Sequence, residues 1–207
     1  GVIGDWENPY LTLNREFEAS TVKALEKIYN NGHLKKGFKP VNWCVKIQSA
    51  LAEAEVEYKE KESTAIDVKF KITSSSSLEK IFGIKNLSTE NFIVIWTTTP
   101  WTLPSNRSVA IKKDLIYVLV SDGKENYIIT ENLLEKFKER TELNLKKVAE
   151  CFGEKLINLE AQHPFLNAKI NVIHSDHVTD DSGTGCVHIA PAHGLEDFEL
   201  GRKHNLD

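Results

Sequence analysis

Two stretches of this chain gather hydroxyl, imidazole and carboxylate groups more densely than packing requires. The first is Trp96-Thr97-Thr98-Thr99-Pro100-Trp101-Thr102-Leu103-Pro104-Ser105-Asn106-Arg107, in which three hydroxyls in a row end an apolar run. Pro100 has no N–H to give a central ladder, so a strand reaching it must stop. A strand end of this kind offers hydroxyls and backbone amides to a polar ligand. The plain alternative is that threonine simply suits strands, though two prolines and two tryptophans in so short a span fit a plain edge poorly. The second stretch runs from Asp180 through Gly183-Thr184-Gly185-Cys186-Val187-His188-Ile189-Ala190-Pro191-Ala192-His193-Gly194 to Asp197. Its glycines permit close backbone approach, and a short strand brings His188 to its end. Asp197, past the Gly194 turn, can reach back to the same place. A carboxylate beside an imidazole can receive an ammonium group or organise water. The structural alternative makes His188 a satisfied core histidine and Asp197 a helix cap.

Other chemistries find less support. Six of the seven histidines lie at or beyond position 163, so a metallohydrolase must be weighed. Neither His174-x-Asp176-His177 nor His188-x4-His193 has the H-E-x-x-H helical spacing, and Pro191 disfavours a helix between the latter pair. The expected metal set is therefore none. There is no G-x-S-x-G elbow, no Cys–His motif and no Walker loop, and Gly183-Thr184-Gly185 is too short for a dinucleotide fingerprint.

The elements that must position these residues can be read from periodicity. Phe17, Thr21, Leu25 and Ile28 predict a helix over 14–32, with Asn14 as cap and Gly32 as stop. Ile66, Val68, Phe70 and Ile72 alternate with polar neighbours as in a half-buried strand. Ser74–Ser77 reads as a loop and Phe92–Trp96 as a buried strand. Leu115–Val120 and Tyr127–Ile129 form a hairpin turning at Asp122-Gly123. A second helix is predicted over 131–140, with further short strands at Ile170–Ile173 and Cys186–Ile189. The expectation is a strand-rich α+β fold, with a helical and linking segment over 1–45 and the main domain over 46–207.

Composition sets bounds on function. The 207 residues carry 26 Lys+Arg against 30 Asp+Glu, a formal charge of −4, which excludes a strongly basic nucleic-acid binder. The clusters Lys35/Lys36/Lys39, Lys112-Lys113 and Lys146-Lys147 read as solvated charge. No apolar run approaches a membrane span. Three scattered cysteines without a C-x-x-C pair fit a reducing, cytosol-like compartment. The chain has no Met and begins at Gly1, as expected of an internal fragment of a longer protein.

Taken together, the two stretches resemble the editing insertion of the isoleucyl-tRNA synthetase family. WTTTPWTLPSNRSVAI (96–111) and GTGCVHIAPAHGLEDFELGRKHNLD (183–207) are similar to its two signature blocks, and GVIGDWENPYLT (1–12), KPVNWC (39–44) and SALAEAEVEY (49–58) extend the likeness over nearly the whole chain. The sister valyl and leucyl enzymes usually carry T-T-R-P and an Asp after the A-H pair; here Thr99 and Gly194 stand in those places. The resemblance implies a β-barrel-like editing domain with peripheral helices. Its activity would be hydrolysis of valine mischarged on tRNA(Ile), within a parent enzyme that uses ATP and Mg to ligate isoleucine. Neither an H-I-G-H-like nor a K-M-S-K-S-like motif occurs here, so no ATP site and no cofactor are expected in this chain. The implied partners are the 3′ end of aminoacylated tRNA and the remainder of the synthetase. A cytoplasmic location, no membrane contact and a monomeric isolated domain are also implied.

Carried over by position, Thr97, Thr98, Thr99 and Asn106 match the threonine-rich wall, with Trp96 beside it. His188 matches the residue that sets the size limit, and Asp197 the carboxylate that holds the α-ammonium. Gly185, Val187, Ala190 and His193 complete the implied substrate contacts. The family uses no protein nucleophile; hydroxyls, backbone groups and the substrate's ribose hydroxyl place the water. Some positions depart from the pattern. Ile47 stands where a second Cys follows the one matching Cys44, Leu195-Glu196 where Pro-Asp or Asp-Asp is frequent, Phe198 where Tyr is, and Cys186 where Ala is. The insertion usually continues past the position of Asp207, so its last strands are expected outside this chain. The other readings are a valine-binding fragment without turnover and the histidine-based metallohydrolase.

Overall fold

The three- and four-residue spacing of Phe17, Thr21, Leu25 and Ile28 is realised as helix α1 (Arg15–Asn30). Asn14 accepts from the Glu16 amide at 3.1 Å to cap it, and Gly32 follows at φ +75°. None of its residues is buried. This helix belongs to the first of two compact units, Gly1–Lys39 and Pro40–Asp207, in the computed structural model, which describes residues 1, 3–87 and 89–206.

In the second unit β1 (Trp43–Cys44) and β2 (Ser49–Ala50) form a small antiparallel pair. The other strands are β3 (Ile66–Ile72), β4 (Glu90–Thr97), β5 (Ser108–Ile111), β6 (Ile116–Ser121), β7 (Glu125–Thr130), β8 (Lys146–Phe152), β9 (Glu160–Gln162), β10 (Lys169–His174) and β11 (Val187–Ile189). They join one mixed sheet in the order β11-β5-β10-β9-β3-β4-β7-β6-β8. The β5–β10 and β4–β7 pairs are parallel and the rest antiparallel. End strand β11 also approaches β4, so the sheet curls on itself. Among the described residues three α-helices complete this unit: α2 (Ser75–Phe82), α3 (Leu134–Thr141) and α4 (Leu195–His204). Among the described residues no helix is long and apolar enough to cross a membrane.

Strand β4 shows why the sheet is buried on both faces. Its unbroken apolar run puts Ile93 and Ile95 into one core with Phe70, Leu78 and Leu119, while Phe92 and Val94 join Val118, Ile129 and Phe137 in another. A continuous hydrophobic strand needs cover on both sides, and here it has it. The predicted hairpin forms as β6–β7, from Tyr117↔Thr130 to Ser121↔Asn126, with Gly123 at φ +90° and Asp122 Oδ1 accepting the Lys124 and Glu125 amides. The predicted helix over 131–140 begins as a 3-10 turn, Glu131–Leu133, and continues as α3.

Ser74–Ser77 is not a loop. Ser74 accepts from the Ser77 amide at 3.3 Å and caps α2, whose Leu78 and Phe82 are buried one turn apart; Gly83 closes it in the left-handed conformation. Three serines have modest helix propensity, yet a cap at one end, a glycine stop at the other and a buried i, i+4 pair outweigh it. A third core cluster of Ala110, Ile173, Val178, Ile189 and Leu200 seats α4 against β5, β10 and β11. That packing fixes the two chemical stretches relative to each other.

Candidate functional site

Beyond the end of β4 and alongside β11 lies a cavity of about 340 Å³. Trp96, Thr97, Thr98 and Thr99 line one side; Gly185, Val187, His188, Ala190, His193 and Asp197 line the other. Of the residues singled out from sequence, only Asn106 is not in the lining. It is buried behind the 3-10 turn Pro100–Ser105, donating to Ser108 O at 2.8 Å, and its Oδ1 has no partner among the described residues.

The threonine wall is held by its own hydroxyls. Thr97 Oγ1 accepts the Thr99 amide at 3.0 Å and lies 3.3 Å from Thr99 Oγ1. Pro100 then turns the chain, and Thr102 donates both its amide and its hydroxyl to Thr99 O, at 3.0 and 2.8 Å. Because that hydroxyl proton is committed, Thr102 Oγ1 accepts from His188 Nε2 at 3.0 Å. The bond fixes His188 as its Nε2–H tautomer. Its Nδ1 keeps a lone pair with no partner among the described residues. Burial lowers the His188 pKa below the usual histidine value, against the pull of the Asp197 charge and with further lowering from His193 and His163. The ring is therefore neutral at pH 7 and only 8% exposed.

Asp197 is held from the opposite side. Gly194, in extended conformation, precedes α4 and puts Asp197 in its first turn, where the helix dipole favours a carboxylate. Its Oδ2 accepts the Ala190 amide at 2.8 Å, so it does reach back over the 190–194 turn. His193 donates its amide to Ala190 O at 2.9 Å and shares a 3.0 Å hydrogen bond with Ser105 Oγ. Of the histidines weighed as metal ligands, His177, His188 and His193 meet hydroxyls, while His174 accepts the Lys113 amide through Nδ1 at 3.4 Å and lies 3.2 Å from the Asp176 carboxylate through Nε2. Among the described residues no three His, Cys, Asp or Glu side chains converge as a ligand set.

Sequence reasoning did not single out Thr102, His177, Thr179 or Thr184 for the site, although all four line the cavity. Thr102 and Thr184 lie inside the two stretches and were legible as hydroxyls there. His177, bonded through Nδ1 to Ser175 Oγ at 2.7 Å, carries no local signal that it faces the cavity. Gly185 has a steric reason to be glycine: at φ +72°, a Cβ would fall 2.1 Å from Thr130 Cγ2. Gly185→Ala is expected to cost about 1–3 kcal/mol, the usual range for a strained backbone position. Chemical denaturation reads this as a lower midpoint; an unchanged midpoint would show that the loop yields freely.

The arrangement joins hydroxyl donors, a neutral imidazole and a carboxylate around a cavity large enough for a small polar ligand. A sequence profile of the class I tRNA synthetases (I, L, M and V) matches residues 1–166. Isoleucine--tRNA ligases of Francisella tularensis subsp. novicida (strain U112) and of F. tularensis subsp. tularensis (strain SCHU S4) are 52% identical to this chain over all 207 residues, which cover 22% of each ligase. The chain therefore spans about a fifth of the length of these curated relatives. Among solved structures, the editing domain of the cytosolic leucyl-tRNA synthetase of P. knowlesi superposes with a TM-score of 0.59 at 13% identity, covering 68% of this chain and 62% of that one. The corresponding P. falciparum domain gives 0.55 at 13% identity, covering 68% and 66%. At that identity the likeness speaks for a shared fold, the strand-rich α+β fold with a large mixed sheet. The profile match, which covers most of the chain, establishes the family: this chain belongs to the class I tRNA synthetases.

Proposed function

We propose that this chain is the hydrolytic proofreading domain of an isoleucine–tRNA ligase, and that its cavity cleaves valine from mischarged tRNA(Ile). One observation carries the reading: the threonine wall, His188 and Asp197 come together around a single cavity. In the reaction, a water held by the Thr97 and Thr99 hydroxyls adds to the ester carbonyl. Asp197 binds the substrate's α-ammonium, and His188 limits the length of the side chain. The threonines, His188 and Asp197 are thus the groups that touch substrate, while Trp96, Gly185, Val187, Ala190 and His193 line its berth. No protein nucleophile is required, because proximity and fixed dipoles supply the acceleration.

The remaining parts of this reading follow from its chemistry. The partners are the single-stranded 3′ end of tRNA and the remainder of the ligase, which supplies most of the RNA grip that a chain of net charge −4 lacks. The setting is the cytoplasm. Ester hydrolysis here needs neither ATP nor a metal. The test is release of valine from Val-tRNA(Ile) by this chain without ATP and with excess EDTA. Release at the rate seen without chelator supports the proposal; release that stops with EDTA overturns the metal-free mechanism, and no release under any condition overturns the function.

A further inference from the structure

The loop Asp180–Gly185, whose Ser182, Gly183, Thr184 and Gly185 line the cavity, is held by a polar stripe outside that lining. Asn132, Lys136 and Arg140 follow one another at four-residue intervals along the Glu131–Leu133 turn and α3, so they share a face. Asn132 Nδ2 donates to the Asp180 carboxylate, Lys136 Nζ to Asp181 O at 2.9 Å, and Arg140 Nη2 to Gly183 O at 3.3 Å. Arg140 is itself fixed by a two-pronged pair with Asp67 of β3, Nε to Oδ2 and Nη2 to Oδ1, both at 2.7 Å. A fork of this geometry orients the guanidinium as well as holding it. The next carbonyl, Thr184 O, is also occupied, by the Thr130 amide at 2.9 Å.

These fastenings decide where one amide points. In a trans peptide the C=O of one residue and the N–H of the next face opposite ways. With Gly183 O turned to Arg140, which does not line the cavity, the Thr184 N–H points the other way. Thr184 lines the cavity and is 1% exposed, and its N–H makes no hydrogen bond among the described residues. A buried amide without a partner is costly unless something else satisfies it. We propose that the Thr184 N–H binds the carbonyl oxygen of the substrate ester as it becomes an oxyanion, and that Arg140, anchored on Asp67, is the positioning residue that aims it.

The assignment rests on the deacylase reading and deepens it. Water oxygen bonds to the carbonyl carbon and the carbonyl electron pair moves to oxygen. That pair then returns as the C–O bond to ribose breaks, and the ribose oxygen leaves as a hydroxyl with a proton from the attacking water. The charge on the carbonyl oxygen peaks between these steps, which is where an aimed donor acts most strongly.

The test compares two adenosine ligands by titration calorimetry: one carrying valine through a stable 3′-amide, the other a phosphonate that mimics the tetrahedral intermediate. Arg140→Met is expected to weaken the phosphonate about tenfold, part of the 10²–10³ effect of removing such a donor outright. The amide should weaken by less than about twofold, because its oxygen gains no charge. Arg140→Lys, which keeps the charge but loses the fork, should fall between. A variant that merely unfolds changes the number of binding sites and leaves this affinity ratio untouched. Equal weakening of both ligands, or of neither, overturns the role of Arg140 while leaving the deacylase reading in place. A wild-type protein that binds neither ligand overturns that reading and this assignment together.

Discussion

Asp197→Ala is expected to abolish hydrolysis of Val-tRNA(Ile), lowering kcat/KM by at least about 10²-fold. The α-ammonium of an aminoacyl ester must be desolvated to enter a cavity of about 340 Å³, and it needs a charged partner there. Among the described residues Asp197 is the one carboxylate in the lining, and only its Oδ2 is committed, to the Ala190 amide. Removing one side of such a buried pair costs about 3–5 kcal/mol, about 10²-fold or more, a large part of it from leaving the other charge buried alone. Alanine also removes the acceptor for Ala190, so Asp197→Asn gives the cleaner measurement. It keeps an oxygen for the Ala190 amide, discards the charge, and should lose activity nearly as fully while the melting temperature holds. Full activity in the asparagine variant would assign Asp197 to the Ala190 turn alone.

His188→Ala is expected to change which substrate is cut. Isoleucine exceeds valine by one methylene, and an apolar pocket distinguishes a methylene by only about 1–3 kcal/mol, a limit for which the isoleucyl enzyme is itself the standard illustration. A hydrolytic site escapes that limit by excluding the larger side chain sterically, which requires a wall that does not move. His188 qualifies: it is pinned on β11 against Val109 of β5, bonded to Thr102, and kept neutral by burial, so it neither swings away nor draws in water. Removing the ring should raise hydrolysis of Ile-tRNA(Ile) by about tenfold or more, with hydrolysis of Val-tRNA(Ile) changed far less. Continued rejection of Ile-tRNA(Ile) would move the size limit to another wall.

Much of the sheet is legible in the sequence alone. The unbroken run of β4, the alternation of β3 and the Asp122-Gly123 turn each carry a local signal, and each formed as expected. Strand β8 was hidden because it lies at the sheet edge, opens on Lys146-Lys147 and is exposed along most of its length. An edge protected by charge has no two-residue hydrophobic period to read. Helix α2 was hidden behind serines that read as a break until Ser74 is seen as its cap. At the site, both stretches were visible as clusters of chemistry, but their meeting depends on β11 pairing with β5 at His188↔Val109. No local pattern encodes that pairing. Asn106 matched the wall by position yet lies behind it, because the turn Pro100–Ser105 carries its side chain to Ser108.

The most direct measurement of the central claim is single-turnover deacylation by the unaltered chain of Val-tRNA(Ile) and Ile-tRNA(Ile), side by side. Rapid loss of valine with isoleucine released no faster than in buffer is the predicted result. Equal release of both amino acids, or of neither, would contradict a proofreading cavity bounded by His188 and Asp197.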